Sequence, residues 1–408
     1  MNGQLAGPVL LRNGHVFAPE DLGELDILMF AGRIVRMGQG LHLPEGWEGE
    51  EHDLRGMSVV PGFVDGHIHI AGSLSGEFGP RLAATPLQAV DLVQAGITTA
   101  VGVLGFDDSG SSPLTLLARA RVLREQGLTA YMFTGSILCP GPTITGDFRQ
   151  DIRLIPEVLG VKIAIAEPAG SHPDIQTLAR MAGECAAAGA VAGKLSVLHV
   201  HTGNGPEGLE PLFRVVEITG LSPGRIVPTH VNGSARRVQQ AAVYARLGGI
   251  VDLTASLAPE YGGDRYVKPA QALATLIAEG AAPSRITMSS DTNVTDPVIS
   301  VFPGQVLTVN RPEILLTELC DIVRAKALPF PAAIALVTAN PARVLGLVQK
   351  GRLAVGADAD ITVLDPELHL HRVYAGGRLA WAEGKLQEAI MEGKAFTVEE
   401  DIGYPPLG

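Results

Sequence analysis

His67 and His69 stand two residues apart at the end of the apolar run 59–70, VVPGFVDGHIHI. Side chains alternate across a strand, so both imidazoles leave one face while Val64, Gly66 and Ile68 leave the other. Protonated together, the two rings would repel. Neutral, they aim two nitrogen lone pairs at one point, which is how proteins hold metal ions. A hydrogen-bonded pair in a polar pocket is the other reading that so short a motif leaves open. Four further residues bear on the choice. Lys162 lies inside the strand-like VKIAIAE, His201 closes KLSVLHVHTG, His230 closes RIVPTHV and Asp291 closes RITMSSDT. An ammonium within an apolar strand is costly to bury. It can deprotonate, pair with an acid, or react with CO₂ to give a carbamate, a carboxylate able to bridge two metals. An acid beside metal-bound water is placed as a general base; helix N-capping is the commoner use of an SSDT-type sequence. His199 reads as a polar residue satisfied within its strand. Convergence of the other six groups on one rim points to a metal-dependent reaction.

Bringing six strand-end groups together requires parallel strands. From about residue 60, strand-like runs alternate with amphipathic helices. ITTAVGVLG precedes PLTLLARARVLREQG, LTAYMFTGS precedes DIRLIPEVLG, and VKIAIAE precedes PDIQTLARMAGECAAAG. The pattern continues to RITMSSDT and LLTELCDIVRAKAL. With the unbroken run 59–70 and TPLQAVDLVQAG as the first pair, eight strand–helix units predict an α/β chain built as a (β/α)8 TIM barrel. Thr85 with Pro86 predicts a helix start, and Gly96 and Gly127 predict C-caps. The active site of such a barrel lies at the C-terminal ends of its strands. Residues 8–60 and the stretch after Gly351 read as short strands and turns, so both chain ends predict one small β-sandwich domain. The expected division is 1–60 plus 347–390 for the small β domain, 61–346 for the barrel, and 391–408 for a C-terminal tail.

Composition narrows the function further. The 408 residues are 46% hydrophobic and 18% charged, enough apolar material for a large core. Net charge is −12 with no basic run, which argues against nucleic acid as a partner. Cys139, Cys185 and Cys320 are odd in number and far apart, which fits a reducing cytoplasm rather than a disulfide framework. No signal peptide and no membrane-spanning apolar run is expected. The many apolar residues suggest a homo-oligomer.

PGFVDGHIH, Lys162, His201, THVN, SSDTN and the closing GADADITVLD resemble the amidohydrolase superfamily. GEFGP, AGITTAVGVLG, TITGDF, GVKIAI, HTGN, PTHVNG and GGIVDLTAS are most similar to its isoaspartyl (β-aspartyl) dipeptidases, over nearly the whole chain. The resemblance implies that His67 and His69 bind one zinc ion and that His201 and His230 bind a second. A carboxylated Lys162 and a hydroxide are implied to bridge the pair, with Asp291 on the first metal as general base, then acid. Glu77 is implied to hold a substrate α-ammonium, with Asn232 and Gly105 also at the substrate, and the implied activity is β-aspartyl dipeptide hydrolysis. The chain departs from that family in three places. Glu167-Pro168-Ala169 and Gly233-Ser234 stand where arginines grip the substrate α-carboxylate, and the loop SILCPGP lacks a tyrosine. Arg236 and Arg237 lie close enough to substitute, or belong to a helix surface. Loss of a charge-assisted clamp weakens binding by roughly several kcal/mol. A cyclic amide or N-acyl amino acid substrate is therefore the second reading. A metal-free scaffold barrel is the third, and the complete ligand set argues against it.

Overall fold

The computed structural model describes residues 7–72, 84–105, 111–167, 170–262, 265–293, 310–382 and 384–386. The amino-terminal arm folds into β1 (Val9–Phe17), β2 (Asp21–Phe30), β3 (Arg33–Gly38), β4 (Glu50–Asp53) and β5 (Ser58–Pro61). Eight parallel strands follow: β6 (Phe63–Ile68), β7 (Ile97–Gly102), β8 (Thr129–Gly135), β9 (Val158–Ala164), β10 (Val197–His201), β11 (Ile226–Thr229), β12 (Val251–Thr254) and β13 (Ile286–Ser289). β6 to β11 form one parallel sheet in sequence order, and β12 pairs with β13. β12 packs beside β11, and β13 beside β6. The Asp291 N–H donates to His67 O at 2.9 Å and the His69 N–H to Thr292 O at 3.2 Å, so the loop after β13 is sewn to β6. The parallel sheet thus curls until its two ends approach.

Along the described chain α1 (Ala89–Val93), α2 (Pro113–Glu125), α3 (Phe148–Leu154), α4 (Ile175–Val191), α5 (Glu210–Thr219), α6 (Ala235–Arg246), α7 (Pro259–Gly262) and α8 (Pro269–Ala278) connect the strands, and α9 (Ile314–Arg324) follows β13. Leu116, Leu178, Leu212, Val238, Leu273 and Leu315 of these helices share one buried cluster with Ile97, Ala130, Ile163, Val200 and Leu253 of the strands. β7, β9, β11, β12 and β13 are buried at every residue, as parallel strands covered on both faces must be. The carboxy-terminal arm then adds β14 (Ile361–Leu364), β15 (Leu370–Ala375), β16 (Arg378–Ala382) and β17 (Lys385–Leu386). β14 pairs antiparallel with β5, joining both arms in the order β17-β16-β15-β14-β5-β1-β2-β3, with β4 beside β1. In place of the expected sandwich there is one continuous mixed sheet. Ile34 of β3 shares a buried cluster with Ile361 and Val363 of β14, so this sheet closes around its own core.

Three local expectations change. The run 59–70 is not one strand: residues 58–61 belong to the mixed sheet and 63–68 to the parallel one. Gly62 makes the transfer; its N–H donates to Asp360 O at 2.8 Å, and a Cβ there would meet Thr98 Oγ1 at 2.2 Å. DIRLIPEVLG is not one helix, because Pro156 halts α3 and VLGVKIA extends as β9. Helix α1 begins at Ala89 rather than at Thr85-Pro86, where the Gln88 N–H donates to the Asp91 carboxylate at 2.7 Å. Gly96 and Gly127 do follow helix ends with positive φ, as expected of C-cap residues.

Candidate metal centre

The strands end their hydrogen-bonded ladders at the same rim, and the polar residues there turn inward. His67 lies at the end of β6 and His69 just beyond it; their Nε2 atoms are 3.2 and 3.3 Å from one oxygen of Asp291, Oδ1. Lys162, fifth residue of β9, is fully buried; its Nζ is 3.5 Å from His67 Nε2 and donates to Leu104 O at 2.8 Å. His230 follows β11, with Nδ1 3.6 Å from Asp291 Oδ2 and 2.8 Å from Thr254 Oγ1. Its Nε2 lies 3.1 Å from Nδ1 of His201, the last residue of β10. All six residues singled out in the sequence therefore meet. Two of them reach the site through left-handed backbone, His230 at φ 62° and Asp291 at φ 48°. Such conformations cost about 1–2 kcal/mol each in an L-residue, so surrounding contacts must hold them. Asp291 is not a helix N-cap among the described residues; it is a partly buried rim acid.

Burial sets the charge states. It pushes His67 down to about 3, aided by the Lys162 ammonium and opposed by Asp291. His69 and His230 are depressed by burial above all. Burial alone would raise Asp291, but His230, His67 and His69 around it hold it well below the usual carboxylate range. Burial brings Lys162 down to about 8. At neutral pH His67, His69 and His230 are thus neutral, Asp291 is a carboxylate, and Lys162 still carries its ammonium.

The donor set fits a divalent cation. His67 Nδ1 is 2.7 Å from His199 Nε2; with the proton on Nδ1, the Nε2 lone pair of His67 faces a carboxylate oxygen. Lone pair against lone pair is unfavourable until a cation lies between them. His67, His69 and Asp291 bring their ligand atoms within 4.8 Å of one another, and three such N and O donors suit zinc. His201 Nδ1 and His230 Nε2 form a second pair of ring nitrogens, 3.1 Å apart.

Several partners of the centre escape a reading of the sequence. His199 is satisfied, as its strand position suggested, but by His67 itself, and it stacks on Phe133 with ring centroids 4.8 Å apart. Its two-residue spacing from His201, the same as that of His67 and His69, is the signal that could have marked it. Asp65 lies two residues before His67, accepts from the N–H groups of His67 and Ser290, and is pushed up to about 7 by burial. Asp252 accepts from Thr229, Thr287 and Ser289 hydroxyls, joining β11, β12 and β13 beneath the site, and burial raises it to about 6. Glu167 accepts from His201 Nε2 at 2.8 Å.

The expected substrate contacts are less uniform. Glu77 lies outside the described residues. Gly105 follows Leu104, whose carbonyl receives Lys162. Asn232 is buried and fully engaged: Nδ2 donates to Thr254, Leu257 and Val267 carbonyls, and Oδ1 accepts the Thr254 N–H. Arg236 is exposed, whereas Arg237 is buried and donates to Thr202 Oγ1, Ser234 Oγ and Gly203 O.

Residues 158–385, more than half of the chain, match the model of the amidohydrolase family. The chain belongs to that family. This amidohydrolase is similar to the β-aspartyl dipeptidase of Fervidobacterium islandicum AW-1, whose structure holds a β-Asp-Leu dipeptide. The TM-score is 0.84, with 30% identity, 94% of this chain and 99% of that one covered. It is 28% identical to an imidazolonepropionase of Mycolicibacterium smegmatis, over 80% of this chain and 81% of that protein. An adenine deaminase of Edwardsiella ictaluri is 26% identical over 84% of this chain, which spans about half (51%) of that relative. A D-hydantoinase structure shares the fold, with TM-score 0.72 and 17% identity. No helix among the described residues is long and apolar enough to cross a membrane.

Proposed function

We propose that this amidohydrolase cleaves amide bonds in small substrates at a two-zinc centre, with β-aspartyl dipeptides as the first class. The observation that carries this is the meeting of four imidazoles, Lys162 and Asp291 at one rim. It sits in a chain 30% identical, nearly end to end, to a β-aspartyl dipeptidase. His67, His69 and Asp291 would hold one ion, His201 and His230 the other, and carboxylated Lys162 would lie between them. Two bound divalent cations lower the pKa of water and polarise an amide carbonyl. Asp291 takes the proton of the attacking water and passes it to the leaving amine. His199 and Glu167 keep the imidazoles in place, and buried Lys162, near 8, is a reactive amine for CO₂. Glu77 remains the proposed partner for a substrate ammonium, with Gly105 at the same mouth.

The ring of parallel strands is read as a closed (β/α)8 barrel of residues 61–346, with 1–60 and 347–390 as the small β domain and 391–408 as a tail. The cysteines, unbonded to one another, fit a cytoplasmic protein, here taken as a homo-oligomer.

A second substrate class is favoured by one observation. Glu167-Pro168-Ala169 and Gly233-Ser234 stand where the two arginines are expected, and the guanidinium of Arg237 is spent on Thr202, Ser234 and Gly203. A cyclic amide without a free α-carboxylate does not need the missing clamp. Zinc- and bicarbonate-loaded protein should release leucine from β-Asp-Leu, detected by chromatography, and Glu77→Gln should abolish that release. Turnover of a hydantoin or an N-acyl amino acid with no leucine released would transfer the assignment to the second class.

A further inference from the structure

We propose that Glu167 is the positioning residue of the second cation site: it fixes the proton of His201 on Nε2, so that Nδ1 faces the ion. This rests on the two-metal reading above. Glu167 Oε1 lies 2.8 Å from His201 Nε2, and the opposite edge of that ring, at Nδ1, lies 3.1 Å from His230 Nε2. A carboxylate can only accept, so the ring nitrogen facing it must donate. In a neutral imidazole the other nitrogen then carries the lone pair.

The backbone holds this pair in register. The Ile165 N–H donates to His201 O at 3.1 Å, and the Asn204 N–H to Ala166 O at 3.0 Å. Gly203, at φ 64°, lets the loop after β10 lie directly on Ala166, where a Cβ would come within 2.2 Å of the Ala166 carbonyl carbon. Glu167 is therefore carried to the outer edge of His201 by main-chain contacts on both sides. The sequence places an acid there by position alone, three residues after β9, and nothing in the motif around His201 announces the contact.

The two sites then have separate braces. His199 backs His67 in the first, and Glu167 backs His201 in the second. Loss of an outer partner of a metal-binding histidine lowers metal affinity by roughly 10- to 100-fold. That loss should fall on one ion and spare the other.

The test is zinc binding to metal-stripped full-length protein in bicarbonate, by equilibrium dialysis with elemental analysis, repeated with cobalt to follow its visible spectrum. Wild-type protein should take up two ions per chain. Glu167→Ala should keep the first at wild-type affinity and weaken the second by roughly 10- to 100-fold. Glu167→Gln, whose carbonyl still accepts from Nε2, should recover most of that loss and guards against a folding defect. Two ions at unchanged affinity in Glu167→Ala would overturn the proposal, as would equal weakening of both with no recovery in Glu167→Gln. Wild-type protein that binds fewer than two ions would instead overturn the two-metal reading, and this proposal with it.

Discussion

Replacing Lys162 by methionine should make the metal-free fold more stable while destroying its activity. The ammonium is fully buried in β9, and burial moves it from its ordinary 10.5 down to about 8. That displacement corresponds to a penalty of about 3 kcal/mol for the charged form. The bond from Nζ to Leu104 O returns about 1 kcal/mol, which methionine forfeits. The net expectation at pH 7 is a Lys162→Met protein about 2 kcal/mol more stable than wild type once both are stripped of metal. The sign fixes the pH window. The folded value lies below the unfolded one, so the penalty is complete below about 8 and fades as pH rises toward 10.5. Urea unfolding of chelator-treated protein at pH 7 and pH 10 measures both points. The advantage of the variant should shrink at the higher pH, and no hydrolysis should return on adding zinc and bicarbonate. A variant less stable than wild type at pH 7, or an advantage that does not change with pH, would refute the reasoning.

Asn232→Ala should lower stability by roughly 2–4 kcal/mol in urea, because the Thr254 N–H and the Thr254, Leu257 and Val267 carbonyls all lose a partner. A change in KM without a change in stability would instead make Asn232 a substrate contact. His199→Phe keeps a ring against Phe133 but removes the acceptor for His67, so the first zinc site should weaken by roughly 10- to 100-fold in dialysis while the second is spared. Asp291→Asn should cut kcat by at least about 100-fold, since proton transfer by a positioned acid or base contributes about that much or more. Substrate release assays on metal-loaded protein check this, with near-normal kcat as the contrary result.

The metal centre was legible because its residues violate their surroundings. Four histidines, a lysine and an aspartate end or interrupt apolar strands, and alternation of strands with helices puts those ends on one rim. What the sequence conceals is pairing. The run 59–70 is apolar and extended throughout, and only its partners, β14 before Gly62 and β7 after it, divide it between two sheets. Pro156 carries a local warning that DIRLIPEVLG breaks, since proline ends helices. The contacts of His199 with His67, and of Glu167 with His201, join residues 132 and 34 positions apart. Neither follows from local period. Asn232, two residues after His230, reads as substrate-binding from its motif, and that reading gives no sign that its amide also braces the loop after β12.

The most direct test is a crystal of the zinc-loaded protein measured at the zinc absorption edge. Two anomalous peaks per chain are expected. One should lie about 2.0–2.2 Å from His67 Nε2, His69 Nε2 and an Asp291 oxygen, and the other at a similar distance from His201 Nδ1 and His230 Nε2. Extra density on Lys162 Nζ should connect them. A single peak, or peaks remote from these side chains, would contradict the account.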